Sequence, residues 1–488
     1  MFCADFHQLK PINGYALHSS LVTEAVPPDK LKSIGVTPTK QSENGADRKG
    51  TTLLKGFKRL YLTDQMRAAE DDAHRSFLEE MRDVNSSQPV SDAFINSLQQ
   101  LTSKAIEDQG DALRFAKIGV LSNMERHRLN YVQARVWAKK HGIPLFWWRQ
   151  ELTGVAASWL SEEEQNRLYD VEREGLCMFF CQGAPASITY NIETGRGLVN
   201  GCDASMHSLT MPDDFDMDVF RLSNFCRQGD EALEIELPCS PISVNAIPDV
   251  SKEAKQILLA HAATLDTKNT ILSVPMSSLS DNEHALLDGV ARAEKDMVKV
   301  RTMDISESLV AALLKKGATI DGNLIVPVLV GNTSVKFNPC SVWAAQMGIP
   351  KNLQVKKHQI DLAFAVTDYK VQGKTLEHFI ISIGPRNGIM PALTLTDLYV
   401  LVSRVRSGNR LYVIGFDPAV QSDHLRKLKP SSMLAIWEAG YHDSCDSNAG
   451  FWCENLAKKC VDRLAIQIEE RRKTQRQKRY NKWQKNNT

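Results

Sequence analysis

Apolar residues along this chain follow two alternating rhythms. Met1-Phe2-Cys3-Ala4 is apolar and runs straight into Asp5-Phe6-His7-Gln8-Leu9. That is the pattern of a buried strand of a parallel sheet, delivering polar residues at its C-terminal end. Residues 25–51 are rich in Pro, Lys, Ser and Gly and read as a loop, and 57–62 (FKRLYL) reads as a strand. After Asp64, the residues Met66, Ala69, Ala73, Phe77, Leu78 and Met81 fall on one helical face, and a second helix fits 91–107. Residues 115–121 have strand character, Asn123 is a plausible N-cap, and a helix runs through Val132, Val136 and Trp137 to a stop at Gly142-Ile143-Pro144. Residues 146–148 are again strand-like. Strand, helix and strand in repetition predict an α/β fold.

The rhythm shortens over 177–260, where brief β runs (CMFFCQG, ASITYNI, GLVNG, EIELP) alternate with Gly, Pro and Asp. Residues 281–317 look helical and heavily charged, and 318–360 returns to short strands. The stretch from about 200 to 360 therefore reads as a small inserted β domain. The α/β pattern resumes over 364–376, 379–383, 399–403 and 410–415, and 421–488 is helical.

Composition adds limits. The 488 residues, 43% hydrophobic and 24% charged, are ordinary globular chemistry, long enough for about three domains. Net charge is +1, but residues 471–488 hold eight Lys or Arg and no acid, so removing those eight charges leaves a body at −7. Ten scattered cysteines are no disulfide framework. The start lacks the charged and apolar regions of a signal peptide, and the longest apolar run, 324–330, is far short of a membrane span. The expectation is an intracellular protein without a membrane partner.

Two segments carry candidate chemistry. Thr367-Asp368-Tyr369-Lys370-Val371-Gln372-Gly373-Lys374-Thr375-Leu376 contains Gly-Lys-Thr, yet the first glycine of a phosphate loop would fall at Asp368, so this is no Walker A. Gly45 and Gly50 have the glycine spacing but no Lys, and no apolar strand ends in Asp-Glu. In Leu398-Tyr399-Val400-Leu401-Val402-Ser403-Arg404-Val405-Arg406, an apolar run ends in Ser-Arg-x-Arg. One reading is a helix or strand with a solvated end. The other is an Arg aimed at a nucleotide phosphate, whose spreading charge its planar fork suits.

Taken together, the segments resemble the superfamily 1 DNA helicases of the petite-integration-frequency (PIF) type, relatives of the RecD motor. Ala4-Asp5-Phe6-His7-Gln8-Leu9-Lys10-Pro11-Ile12 resembles helicase motif III. Leu60-Tyr61-Leu62-Thr63-Asp64-Gln65-Met66-Arg67, with Phe77-Leu78 and Met81-Arg82 behind it, resembles motif IV. Phe180, Gly183-Ala184-Pro185, Asn191 and Gly197-Leu198-Val199-Asn200-Gly201 are similar to the family's approach to its inserted β domain. Residues 363–376 resemble motif V and 399–404 motif VI, and the likeness runs to about residue 417. Departures are Ala4 where the family usually has Gly, Lys10 where it has Pro, and Tyr369 where it has His.

The resemblance implies an α/β protein: a RecA-like lobe with a parallel sheet and helices, an inserted small SH3-like β-barrel, and a fragment of a first RecA-like lobe. It divides the chain into the end of the first lobe (1–56), the second lobe (57–200 and 361–420), the β-rich insert (201–360) and a helical extension with a basic tail (421–488). It implies an ATP-dependent DNA helicase in which Gln8, Arg67 and Arg404 meet the γ-phosphate. Asp5, Gly373 and Thr375 would lie near ATP, and Thr367, Tyr369, Lys370 and Gln372 would face single-stranded DNA. The motif bearing Gln8 starts at residue 4, so the Walker A and B elements, about one lobe of roughly 150 residues, are expected upstream. ATP and Mg²⁺ would belong to the complete motor, with neither held tightly by this chain alone and no metal site in it. The alternatives are a truncated gene model, a decayed or transposon-derived copy, or a missing N-terminal lobe supplied by another chain. A non-catalytic single-stranded nucleic-acid-binding remnant is the competing function. The nucleus is the expected location, with the mitochondrion as the alternative.

Weaker signals have plainer readings. His442, Cys445, Cys453 and Cys460 match no paired zinc spacing. Cys177 and Cys181 read as core, and Trp147-Trp148 as core at a lobe edge in preference to a base-stacking pair. His74 reads as a surface residue, and Asp64, Asp71, Asp72, Glu79 and Glu80 as a solvated helix face. The basic tail with Tyr480 and Trp483 reads equally as a solvated tail or as a nucleic-acid or nuclear-localisation patch.

Overall fold

The computed structural model describes residues 17–38, 46–59, 66–192, 194–212, 234–260, 263–264, 270–271, 318–320, 323–332, 334–386, 391–441 and 450–487. The chain divides into two compact units, one made of Met1–Gln109 with Val371–Thr488 and the other of Gly110–Lys370. The fold is mixed α/β, and five of its strands form a sheet with parallel pairing.

Three of those strands belong to the first unit. Gln99–Gln100 pairs in parallel with Leu411–Val413, which pairs in parallel with Phe379–Ile381. The helix Leu395–Val402 lies between the last two in sequence, giving a strand–helix–strand crossover. This helix starts in a capping box, with the Thr394 hydroxyl receiving the Asp397 N–H and the Asp397 carboxylate receiving the Thr394 N–H. Its apolar run is buried on all sides, from Leu398 at 0% exposure to Val402 at 0%. Residues 399–403, which completed the α/β pattern in the sequence, are therefore mostly helix, and the Ser403-Arg404 end is buried where a solvated end was one reading.

The same unit holds a helical cluster. The helices Leu17–Ala25, Pro28–Ser33 and Ala46–Lys55 pack with Ser432–Ala439 and the first half of Glu454–Asn487 around Leu21, Val22, Leu31, Leu54, Ile436 and Trp437. Lys55 Nζ bridges Glu24 (3.1 Å) and Glu454 (3.0 Å), tying both chain regions together. The loop expected over 25–51 is thus partly helical, because Pro28 sits where its missing N–H costs nothing, at the start of a helix. The expected strand over 57–62 is coil at 57–59, and its remainder lies outside the described residues.

The helical pattern after Asp64 also shifts. A short 3₁₀ turn covers Met66–Ala68, and the α-helix begins only at Asp72, capped by Asp71. Its buried face is His74, Leu78 and Met81, while Met66 is 80% exposed, so His74 is not a surface residue. The helix expected over 91–107 breaks into Asp92–Ser97 and Ser103–Gln109 around the Gln99–Gln100 strand.

In the second unit, Lys117–Val120 pairs in parallel with Ala365–Thr367. The helix Asn123–His141 follows, capped by the Ser122 side chain in place of Asn123 and closed by Gly142 at φ +62°, a left-handed conformation that glycine adopts without strain. Its buried stripe is Arg126, Asn130, Ala134 and Ala138, four residues apart, and Val132 and Val136 face outward. Among the described residues, a larger sheet runs in the order Ala263–Thr264, Ala318–Ile320, Asn323–Leu329, Ser243–Pro248, Asp203–Thr210, Pro185–Ile188 and Ile360–Leu362, with Thr270–Ile271 against Asp203–Thr210. Every pair but the first is antiparallel. The sheet takes strands from both sides of the expected 201–360 border, since Pro185–Ile188 pairs with Ile360–Leu362. All of 281–317 lies outside the described residues.

Candidate functional site

The first unit brings together three segments that are far apart in sequence. Arg67 lies in the Met66–Ala68 turn, Thr375 follows the short Asp368–Val371 helix, and Ser403-Arg404 ends the Leu395–Val402 helix. Arg67 Nε donates to Thr375 Oγ1 at 2.9 Å, and its Nη1 donates to the Ser403 carbonyl at 2.9 Å. The Leu376 N–H donates to the Arg404 carbonyl at 2.8 Å, and Leu376 bridges Val405 in parallel. Backbone pairing therefore fixes the Gly373–Leu376 segment against the Arg404 segment, and Arg67 spans both.

Arg404 is only 1% exposed. Its Nε donates to the Val400 carbonyl (2.7 Å), its Nη1 to the Val371 carbonyl (3.4 Å) and its Nη2 to Ser403 Oγ (2.6 Å). Ser403 Oγ in turn donates to the Val400 carbonyl at 3.2 Å. A guanidinium satisfied by three oxygens can stay charged in the interior. Thr375 and Gly373 are exposed, and Gly373 has φ +82° with no atom near a would-be Cβ, so the turn needs its backbone freedom and not its small size.

Asp71 connects the two arginine-bearing regions. It accepts the His74 N–H (2.9 Å) as N-cap, the Ser407 hydroxyl (2.5 Å) and the Gly408 N–H (3.0 Å). Burial works to raise its pKa, but the hydrogen bonds from Ser407, His74 and Gly408 outweigh it and hold the carboxyl below its ordinary range. Asp71 is thus no solvated helix-face residue. His74 is pushed below its ordinary value by burial, with Asp71 opposing, and is neutral near pH 7.

Thr367, Tyr369 and Lys370 belong to the second unit and Gln372 to the first. Thr367 ends the Ala365–Thr367 strand opposite Val120, and the Tyr369 N–H donates to Asp368 Oδ1 at 2.9 Å. Beneath this strand Asn130 acts as a clamp: its Nδ2 donates to the carbonyls of Leu362 (2.8 Å) and Ala365 (3.2 Å), and its Oδ1 accepts the Ala365 N–H (2.7 Å). One turn earlier, Arg126 Nη1 meets the buried Asp361 Oδ2 at 2.9 Å, and Lys357 Nζ meets the same oxygen at 3.0 Å. Burial raises the Asp361 pKa, but Lys357 and Arg126 overcome it and keep the carboxylate charged. His127, pushed down to about 3 by burial and then by Arg126 and Lys357, is neutral and lies 3.0 Å from Arg126 Nη2. A shallow cleft opens here, lined by Arg126, His127, Asn130, Cys177 and Asp361.

Asp5 and Gln8 lie outside the described residues, as do Asp64 and most of the segment before Arg67. The sequence reading missed Asp71, Asn130, Ser403 and the Asp361 cluster. Arg126 and Asn130 carried a signal, being polar residues in an i, i+4 stripe with Ala134 and Ala138; Asp71 and Ser403 carried none beyond their type. Trp148 is core at 1% exposure, and Trp147 is covered by Arg173, whose guanidinium lies 4.2 Å from the ring centre. His442 and Cys445 lie outside the described residues, and Cys460 is buried in the helical cluster. Among the described residues no group of three His, Cys, Asp or Glu could hold a metal, and no helix is long and apolar enough to cross a membrane.

No protein-family model and no curated protein sequence matches the chain. Among solved structures it is similar to the Pif1 helicase from Candida albicans, at 12% identity and TM-score 0.37, over 76% of this chain and 58% of that one. It is similar also to the Pif1 helicase from Bacteroides in complex with ADP-AlF3 and ssDNA, at 12% identity and TM-score 0.38, over 80% and 58%. A third is Bacteroides Pif1 bound to ssDNA, at 10% identity and TM-score 0.37, over 83% and 64%. The chain therefore spans about three-fifths of the length of these structures.

Proposed function

We propose that the chain supplies the second RecA-like lobe, with an inserted SH3-like β domain, of an ATP-dependent DNA helicase. The observation that carries this reading is that Arg67 hydrogen-bonds both Thr375 and Ser403, 308 and 336 residues away in the chain. These are the segments whose wording resembles motifs IV, V and VI. In the motor, Arg67 faces the γ-phosphate of ATP, where a cation stabilises the charge that spreads during phosphoryl transfer, and the enclosed Arg404 holds the Ser403 end that Arg67 grips. Gly373 and Thr375 border the nucleotide, and Asp5 and Gln8 reach it from the first lobe. Mg²⁺ would supply charge neutralisation at the phosphates of the complete motor, and no described residue of this chain is placed to hold it. The described residues fit the γ-phosphate end of such a site, with cations and a hydroxyl, and not the Mg²⁺ end. Thr367, Tyr369, Lys370 and Gln372 hold the backbone of single-stranded DNA without reading sequence. The motor works in the nucleus, with the mitochondrion as the alternative.

The competing reading is a non-catalytic single-stranded nucleic-acid-binding remnant, in which the segment 367–372 holds a strand without nucleotide coupling. Both readings expect no ATP turnover by this chain alone, and DNA-stimulated hydrolysis by the purified chain would overturn both. They separate on coupling. If a nucleotide changes the affinity of the chain for a single-stranded oligonucleotide, with Arg67→Ala abolishing the change, the motor reading stands; affinity indifferent to nucleotide supports the remnant. No affinity at low salt refutes both. Lys370→Ala is expected to lower the log K against log salt slope by about 0.7, one single-strand phosphate contact.

A further inference from the structure

The helix Glu454–Asn487 changes character along its 34 residues. Its first half is bound into the helical cluster through Ala457, Cys460 and Val461, with Leu464, Ala465 and Ile468 partly covered. Beyond that the described side chains, 472–477 and 484, are exposed. Residues 471–487 would run roughly 25 Å at 1.5 Å per residue. This part holds eight Lys or Arg and no acid.

The basic positions are not spread evenly round the helix. At about 100° per residue, Arg471, Arg472, Arg476, Lys478, Arg479, Lys482 and Lys485 fall within about half of the circumference, with Lys473 the exception. The other half holds the positions of Thr474, Gln477, Tyr480, Asn481 and Gln484. An amphipathic membrane helix needs an apolar half opposite its charges, and there is none here. A helical partner needs an apolar seam repeating every three to four residues, and that too is missing. A one-sided row of cations on a polar helix suits a surface whose negative charge is dense and continuous. Duplex DNA, with one charge per about 1.7 Å of axis, is such a surface.

We infer that the C-terminal helix is a separate docking arm that lies with its basic half against the phosphate backbone of duplex DNA, independent of sequence. The inference does not rest on the motor reading above, since it uses none of Arg67, Thr375, Arg404 or Lys370.

The test is binding of the full chain to a fluorescein-labelled 30-base-pair duplex, by anisotropy between 50 and 200 mM NaCl. The variant R472Q/R476Q/R479Q/K482Q removes four cations from the row. Its salt slope is expected to fall by about 3.6, so that the wild-type chain loses on the order of 100-fold more affinity than the variant across that range. Circular dichroism checks that the helix persists. A composition-matched variant, R476Q/Q477R/N481K/K482N, moves two charges to the other half and is expected to bind duplex less tightly than wild type. Equal binding by that variant overturns the one-sided row. An unchanged slope in the quadruple variant overturns the arm itself, as does tighter binding of the wild-type chain to phosphatidylserine vesicles than to duplex. The arm is read from the salt slope of the quadruple variant on duplex, and the single-strand groove from the nucleotide dependence of oligonucleotide affinity, so failure of either reading is seen separately.

Discussion

Replacing Asp71 by Ala tests how the two arginine-bearing segments are held together. Its carboxylate accepts the first-turn N–H of His74, the Ser407 hydroxyl and the Gly408 N–H. The lost cap costs about 1 kcal/mol. The two remaining charge-assisted bonds contribute about 1 kcal/mol each once discounted for partial exposure. The total, about 3 kcal/mol, corresponds to roughly 150-fold faster amide exchange where opening is local. Hydrogen exchange read by mass spectrometry on peptides covering Asp72–Arg82 and 405–410 measures it, avoiding a single melting temperature for a chain of two units. Both peptides are expected to accelerate together. The carboxyl sits below its ordinary pKa in the folded chain, so its stabilisation is complete above the unfolded value near 4 and fades as pH falls through the lower folded value. Acid should therefore reproduce the variant's pattern in the wild-type chain. Acceleration confined to the first turn of the helix, with 405–410 unmoved, refutes the tether.

Three further outcomes follow from the same hydrogen-bond accounting. Asn130→Ala strands two carbonyls and one N–H beneath the Ala365–Thr367 strand and should cost about 3 kcal/mol or more, seen as fast exchange at 362–367; unchanged protection there rules out the clamp. Arg404→Lys cannot reach all three of its oxygen partners and should cost on the order of 2–4 kcal/mol, so a thermal unfolding curve superimposable on wild type removes Arg404 from the interior. His358 is fully buried, pushed down to about 4 by desolvation, with its Nε2 at 2.9 Å from the Pro241 carbonyl. Its unfolded form binds a proton near pH 6.5, so it should drain about 3 kcal/mol of stability as pH falls from 6.5 to 4. His358→Gln should flatten that slope, and parallel slopes would count against it.

The α/β alternation is legible because short apolar runs such as those within 146–148 and 410–415 lie next to turn residues, and both fall on observed strands, Leu145–Arg149 and Leu411–Val413. The helix faces were less so. Val132 and Val136 suggested one register for the Asn123–His141 helix, yet the buried stripe is Arg126, Asn130, Ala134 and Ala138. A hydrogen-bonded polar side chain can be buried at low cost, whereas pattern reading counts it as solvent-facing. His74 was misread for the same reason. The helical cluster joining Leu17–Ala25 to Ser432–Ala439 is a contact between residues about 400 apart, which no local periodicity can encode. Of the site, Arg67, Gly373 and Thr375 are reached through resemblance of wording, and Arg404 also through the apolar run that ends on it. Asp71 and Ser403, which connect them, are ordinary residues whose importance comes only from where the chain puts them.

The two arginines are not equivalent in this geometry. Arg404 is enclosed, with its fork spent on Val400, Val371 and Ser403, so turning it toward a phosphate exchanges three good partners for new ones and gains little net energy. Arg67 is half-buried, with two partners, one of them the exposed Thr375 hydroxyl. Giving up that hydroxyl for a phosphate oxygen replaces a neutral acceptor by a charged one, roughly twice as strong. Under the motor reading, Arg67 is then the residue that senses phosphate, and Arg404 the residue whose packing sets where Ser403, and through it Arg67, can stand. Loss of phosphate would return Arg67 to Thr375 and so act on the turn that leads back to Gln372 and Lys370. Nucleotide state and the grip on a DNA strand would then be linked through the few residues from 370 to 375, without any long-range path.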